Sequence, residues 1–183
     1  MTDIYAAPGL RTKSPSQQDL APDTIAQHDR ERLITFVELL FFAYRDFTGE
    51  ADAVLAQFGF GRAHHRVLHF VNRHPGLRVA DLLDILKITK QSLARVLKQL
   101  VDEGYVLQQA GSEDRRERLL FLTAKGRELA SKLAELQMAR VAEALAAAGA
   151  DFGPAARRFL ARMIAEAERP RIEKLIFGPE DGA

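Results

Sequence analysis

The sequence predicts a mainly α-helical chain with a small β-wing, and three observations carry that prediction. Apolar residues Leu93, Val96, Leu97 and Leu100 recur at helical spacing, while Lys90, Gln91, Arg95 and Lys98 take the opposite face. A shorter helical pattern precedes them across a tight turn, the arrangement of a helix-turn-helix. Further along, Arg115, Arg116 and Arg118 cluster in a loop between two strand-like runs. A basic helix followed by a basic hairpin reads as a winged helix-turn-helix.

Residues 1–26 hold Pro8, Gly9, Pro15 and Pro22 among scattered polar residues and show no periodicity. They read as a flexible arm, with DNA contact through Arg11 and Lys13 as the alternative to an unstructured leader. A strong helix is expected from His28 to about Phe47, with Leu33, Phe36, Val37, Leu40, Phe41 and Tyr44 as its stripe. Ile34, Leu39 and Phe42 widen that stripe, so the helix needs cover on more than one side, and a second subunit is a natural cover. Gly49 is expected to break the run, with a short helix near Ala51–Phe58 after it.

Arg62–Arg73 is the next helix, with Val67, Leu68, Phe70 and Val71 inward, and His74-Pro75-Gly76 ends it. Val79–Leu86 is a short helix presenting Val79, Leu82, Leu83 and Leu86. Lys87-Ile88 makes the turn, Thr89 caps the helix running to about Glu103, and Gly104 stops it. Tyr105–Gln109 and Arg118–Leu122 are strands around a charged loop containing Gly111. Thr123 caps a long helix to about Ala148. Gly149–Gly153 interrupts the chain, and Pro154 begins a last helix with Phe159, Leu160, Met163 and Ile164 inward, ended or kinked at Pro170. Ile172, Leu175, Ile176 and Phe177 form a late apolar cluster that a monomer would struggle to bury. Residues 178–183 read as a tail.

Composition narrows the function classes. The net charge of +1 says little, but residues 62–128 carry 13 basic against 8 acidic residues, a net of +5, and the rest carries −4. That asymmetry suits a segment facing an anionic polymer. There is no cysteine, which removes disulfides and thiolate metal sites. No apolar run approaches the roughly 20 residues of a membrane span, and the amino terminus lacks a signal-peptide pattern, so the cytoplasm is expected. An enzyme is disfavoured: there is no Gly-rich phosphate loop, no nucleophile elbow and no pair of carboxylates in a recognisable cleft. No cofactor is implied. His65 and His69 lie at i and i+4, a spacing that can hold metal, but without a third ligand they are read as packing or surface residues.

Three segments carry a resemblance. RVADLLDILKITKQSLARVLKQLVDEGYV, SEDRRERLLFLTAKG and FGRAHHRVLHFVNRHPG are together similar to the MarR family of bacterial transcription regulators, and the D-x-R wing followed by L-x-LT-x-x-G is the more specific part. GFGRAHHRVLHFVNR resembles the PetP-like branch. The resemblance implies a homodimer whose helical dimerisation region comprises residues 27–61 and 124–177, with residues 62–123 as the winged DNA-binding domain. Each subunit would meet half of a palindromic operator, and repression would be the default outcome. Lys87 departs from the family pattern, which commonly places a small or turn-forming residue there.

Individual residues then take expected roles. Gln91 is the candidate for base reading, since its amide can bond bidentately to adenine; an exposed residue touching only phosphate or water is the alternative. Arg95 suits guanine and Lys90 phosphate. Thr89 and Ser92 lie at the helix start, where hydroxyls and amides suit phosphate, although Thr89 also serves as cap. Lys98, farther from the tip, contacts phosphate or stays solvated. By resemblance Arg116 would enter the minor groove, Asp114 would orient the wing's arginine, and Arg115 and Arg118 would meet the backbone. A hairpin with internal salt bridges to Glu113 and Glu117 is the plain alternative. Tyr44, His65 and His69 are candidates for a small-molecule effector pocket, because the family's ligand cleft lies where the dimer and DNA-binding parts meet. A helical protein-interaction module without sequence-specific DNA binding is the competing reading of the whole chain.

Overall fold

The computed structural model describes residues 27–112 and 114–178. The expected arm with Arg11 and Lys13, the tail beyond Gly178, and Glu113 lie outside the described residues. The chain divides into two compact units, one ending at Arg45 and one beginning at Asp46.

Helix α1 spans Gln27–Ala56 and links the two units in sequence. Leu33, Ile34, Phe36, Val37, Leu39, Phe41, Phe42 and Tyr44 keep between 42% and 71% of their surface exposed. The expected break at Gly49 does not occur, and no separate helix begins at Ala51. A glycine inside a helix costs only about 1 kcal/mol relative to alanine. Ala51 and Leu55, both fully buried, fasten the following turns to the core and offset it.

The second unit is built on α2 (Arg62–Arg73), β1 (Leu77–Arg78), α3 (Val79–Leu86), α4 (Lys90–Asp102), β2 (Val106–Ala110), β3 (Arg118–Leu122), α5 (Ala124–Ala148), α6 (Phe152–Met163) and α7 (Arg169–Phe177). The three strands form an antiparallel sheet in the order β1-β3-β2. Leu120 of the central strand pairs with Leu77 on one side and Gln108 on the other. The hairpin is as the sequence predicts, except that β2 runs one residue later than Tyr105–Gln109, over Val106–Ala110, and Tyr105 is buried instead. The two-residue β1 is too short to leave an alternation pattern. Val67, Leu68 and Val71 of α2, Leu82 and Leu86 of α3, Leu93 and Leu100 of α4, Leu120 of β3 and Leu133 of α5 form one core. Among the described residues no helix is long and apolar enough to cross a membrane.

One close contact sets how α5 leaves the sheet. Thr123 caps α5 by accepting from the Gly126 amide at 3.0 Å, and its hydroxyl donates to the Gly104 carbonyl at 2.7 Å. Thr123 N–H also donates to the Tyr105 carbonyl at 3.1 Å. The first turn of α5 therefore lies directly on that carbonyl, and a Cβ at Gly126 would stand 2.0 Å from the Tyr105 oxygen. The L-x-LT-x-x-G pattern has a mechanical meaning: Leu120 and Leu122 fill the core, Thr123 caps, and Gly126 makes room.

The carboxy-terminal helices differ from expectation. The one helix expected from Pro154, ended or kinked at Pro170, is replaced by two, Phe152–Met163 and Arg169–Phe177. The chain turns extended at Ile164, and Pro170 sits in the first turn of α7, where no intrahelical N–H is required. Arg169 secures the break by donating to the carbonyls of Ala161 and Ile164, each at 3.2 Å. Phe159, Leu160 and Met163, expected inward, are 45–57% exposed in the single chain. Ile176 and Phe177 are likewise exposed, while Ile172 and Leu175 are half-buried.

Candidate nucleic-acid interface

The turn between α3 and α4 is made by Lys87, with φ 50° and ψ 44°. It is the only non-glycine residue of positive φ among the described residues. A side chain in this region costs of order 1 kcal/mol, which is the physical content of the departure at this position. Lys87 Nζ lies 3.3 Å from the Glu168 carboxylate at the foot of α7. Arg66 of α2 closes the same turn by donating to the Leu86 carbonyl at 2.9 Å.

Thr89 caps α4. Its Oγ1 accepts from the Ser92 amide at 3.1 Å and donates to the Ser92 Oγ at 2.9 Å. The first intrahelical bond runs from the Leu93 amide to the Thr89 carbonyl at 3.0 Å, so the amides of Lys90 and Gln91 precede it. The Thr89 hydroxyl is thus engaged in the cap, while the Ser92 hydroxyl only accepts there, and its proton and those two amides are the groups at the tip suited to an anion. Thr89→Ala is expected to cost about 1 kcal/mol of stability. A urea titration with an unchanged midpoint would show the cap to be dispensable.

Lys90, Gln91, Arg95 and Lys98 are all exposed on one side of α4, opposite buried Leu93, Val96, Leu97 and Leu100. Lys98 is paired with Asp102 one turn on. Such a solvent-exposed pair is worth little and opposes little its exchange for a phosphate. Ala94 lies exposed within the same face, where its methyl suits a thymine methyl. The sequence reading missed it because alanine carries neither charge nor hydrogen-bonding group.

The wing is braced from within. Asp114 Oδ1 accepts from the Arg116 backbone N–H at 2.8 Å, and the Asp114 carbonyl accepts from Glu117 N–H at 3.0 Å. Gly111 N–H donates to the Glu117 carbonyl at 3.2 Å, and a Cβ on Gly111 would stand 2.7 Å from the Asp114 carbonyl oxygen. Arg118 folds back, donating to the carbonyls of Arg115 at 2.6 Å and Glu117 at 3.1 Å. Arg115 and Arg116 are exposed, and among the described residues no carboxylate pairs with either. Glu117 is taken by Arg78 at 3.0 Å, and Arg78 also grips Asp81 with two nitrogens, each at 2.7 Å. Arg78 was not singled out by the sequence, since β1 carries no periodic signal.

The histidines take separate positions. His64 Nδ1 accepts from the Gly61 amide at 3.1 Å and its ring stacks on Phe60. The proton therefore sits on Nε2, which donates to Gln99 Oε1 at 2.9 Å, and Gln99 donates onward to Glu103. This chain joins the start of α2 to the end of α4. His65 is buried, with Gln137 as a hydrogen-bonding partner. His69 lies on the wall of a cleft of about 480 Å³ with Phe47, Asn72, Arg73, Met138 and Leu145. His65 is not on that wall, and Tyr44 belongs to the unit ending at Arg45. Among the described residues no cluster of three metal-binding side chains occurs.

Burial holds His65, His69 and His74 below the ordinary imidazole value of 6.5. At His65 the Asp52 carboxylate and Gln137 oppose that shift. At His69 the neighbouring His65, Arg73 and His74 add to it, as Arg73 does at His74. The unfolded chain then takes up protons first as pH falls. The stability these groups contribute is full above about pH 6.5 and is lost as pH drops from there through the folded values. The thermal midpoint should fall between about pH 7.5 and 5.5, and His65→Gln should flatten that slope. A midpoint level across this window would refute the assignment.

The profile of the MarR family matches residues 58–117. The HTH-type transcriptional regulator PetP of Rhodobacter capsulatus is 46% identical over 145 residues, covering 79% of this chain and 87% of that protein. An HTH-type transcriptional repressor of Mycobacterium tuberculosis is 32% identical over 97 residues, 53% of this chain and 70% of the relative. Among solved structures, a MarR transcriptional regulator from Methanosarcina mazei matches with a TM-score of 0.58 at 26% identity, over 70% of this chain and 86% of that one. A Mycobacterium tuberculosis MarR family protein in complex with salicylic acid matches with a TM-score of 0.50 at 29% identity, over 68% and 93%.

Proposed function

The chain belongs to the MarR family of transcriptional regulators, and on that footing we propose that it acts as a homodimer on a palindromic operator. It is a regulator and not an enzyme. In the proposed mode α4 of each subunit enters a major groove and each wing follows a minor groove. Gln91 and Arg95 read base edges, and Lys90, Ser92 and Lys98 meet phosphate. Arg116 enters the minor groove, where a narrow A·T-rich stretch concentrates negative potential, and Arg115 and Arg118 lie along the backbone. Thr89 and Asp114 act by shaping their neighbours. The observation that carries this reading is the run of exposed cations on α4 and the wing, with Arg115 and Arg116 unpaired by any described carboxylate.

The dimerisation region is assigned to residues 27–61 and 124–177. The exposed apolar surfaces of α1 and α6, including Phe36, Phe41, Leu160 and Met163, support it. Their exposure in a single chain is what a partner subunit would relieve. The cleft bearing His69 and Met138 is proposed to take a small-molecule effector. The salicylic acid complex of the mycobacterial structure supports a small aromatic acid as the class to try first. A ligand that favours a subunit spacing unsuited to the operator lowers DNA affinity by its preference for that state. Repression in the cytoplasm is the proposed setting.

The test is an anisotropy titration of the full chain on DNA upstream of its own gene and on a scrambled duplex, beside sedimentation velocity. A dimer that prefers the upstream duplex is expected. Equal affinity for both would favour the interaction-module reading, and a monomer would remove the assembly.

A further inference from the structure

A second cavity, of about 620 Å³, opens between the end of α2, the outer face of α3 and helix α7. Half-buried Leu77, Ile85 and Leu175 line it, and exposed Arg73, Arg171 and Lys174 stand around them. Its volume falls in the range of about 300–1,000 Å³ typical of small-molecule sites. The single carboxylate among the described residues of its wall, Asp81, is held by two nitrogens of Arg78. Arg171 donates to the Asp84 carbonyl at 3.0 Å and lies 3.7 Å from the carboxylates of Asp84 and Glu168. Among the described residues no carboxylate pairs with Arg73 or Lys174. The cavity therefore joins an apolar lining to two cations that no described carboxylate pairs.

We propose that this cavity binds an amphipathic carboxylate, its hydrocarbon part against Leu77, Ile85 and Leu175 and its headgroup at Arg73 and Lys174. A polyanion such as DNA would meet the cations but leave the apolar lining wet. A neutral apolar molecule would fill the lining and leave the cations unanswered. The site is separate from the effector cleft, with which it shares only Arg73. Its α7 wall lies within residues 124–177, so the assignment rests on a dimer that leaves this cavity open, and sedimentation velocity on Lys174→Glu separates loss of the site from loss of the dimer.

Calorimetric titration of the full-length chain with octanoate and with octan-1-ol tests it. Octanoate should bind, with octan-1-ol at least about tenfold weaker, and Lys174→Glu, an exposed change, should weaken octanoate by a similar factor. Met138→Trp, which narrows the other cleft, should leave octanoate affinity within about twofold if the two sites are independent. Absence of octanoate binding, equal binding of the alcohol, unchanged affinity in Lys174→Glu, or loss in Met138→Trp would each overturn the proposal.

Discussion

Gly126→Ala should cost about 3 kcal/mol or more, the upper part of the range for forcing atoms into a packed site. The added Cβ would lie 2.0 Å from the Tyr105 carbonyl oxygen and 3.3 Å from the Leu122 Cβ. Neither neighbour is the free end of a flexible side chain. The Tyr105 oxygen accepts from Thr123, and Leu122 is a buried residue of β3. Relief requires the whole first turn of α5 to lift, which would break the Thr123 cap. For a chain of this length such a loss lowers the thermal midpoint by roughly 6–12 °C. Calorimetry on the variant checks it; a midpoint within a degree or two of wild type would mean that the helix can shift freely here. Thr123→Ser should be much milder, because the capping oxygen is retained.

Arg116→Ala should weaken operator binding by about tenfold or more, in keeping with about 1–3 kcal/mol for an arginine–DNA contact. The slope of log affinity against log salt should fall by about one unit per wing. Asp114 offers a sharper test of how the wing works. Its Oδ1 holds the Arg116 amide, so Asp114→Ala should also weaken binding although a negative charge is removed. Asp114→Asn retains an acceptor and should hold or raise affinity. If Asp114→Ala instead tightens binding, the carboxylate acts as a repulsive charge near DNA and not as a brace. Unchanged affinity and slope in Arg116→Ala would take the wing out of the mechanism.

Much of this arrangement is legible in the sequence because its signals are local. The bounds of α2, α3 and α5 follow from Pro75-Gly76, from the Lys87-Ile88 turn and from Thr123, and each is a nearest-neighbour effect. The errors fall where distant residues decide. Gly49 is a local breaker overruled by the burial of Ala51 and Leu55. The end of α6 at Ile164 depends on Arg169 reaching back to free carbonyls, and Pro170 starts a helix because its missing donor is harmless there. The apolar face of α6 has inward periodicity yet is about half exposed among the described residues, and spacing alone cannot name which body supplies the cover. On the candidate interface, charged residues announce themselves, while Ala94 and Arg78 do not. One has no polar group, and the other matters only because Asp81 and Glu117 converge on it in space.

Arg78 is a rivet through three parts: it sits at the start of α3, grips Asp81 within that helix, and holds Glu117 at the root of the wing. The pair with Glu117 is exposed and worth little by itself, so it adds to the backbone pairing that already ties β3 to β1. In the proposed mode on DNA, a minor groove that widens or narrows beneath the wing would pass part of its tilt to α3 and through the left-handed turn at Lys87 to α4. Two duplexes with identical major-groove letters but different flanking stiffness would then be distinguished by one lever, and cutting the rivet with Arg78→Ala would make the protein tolerant of such flanks.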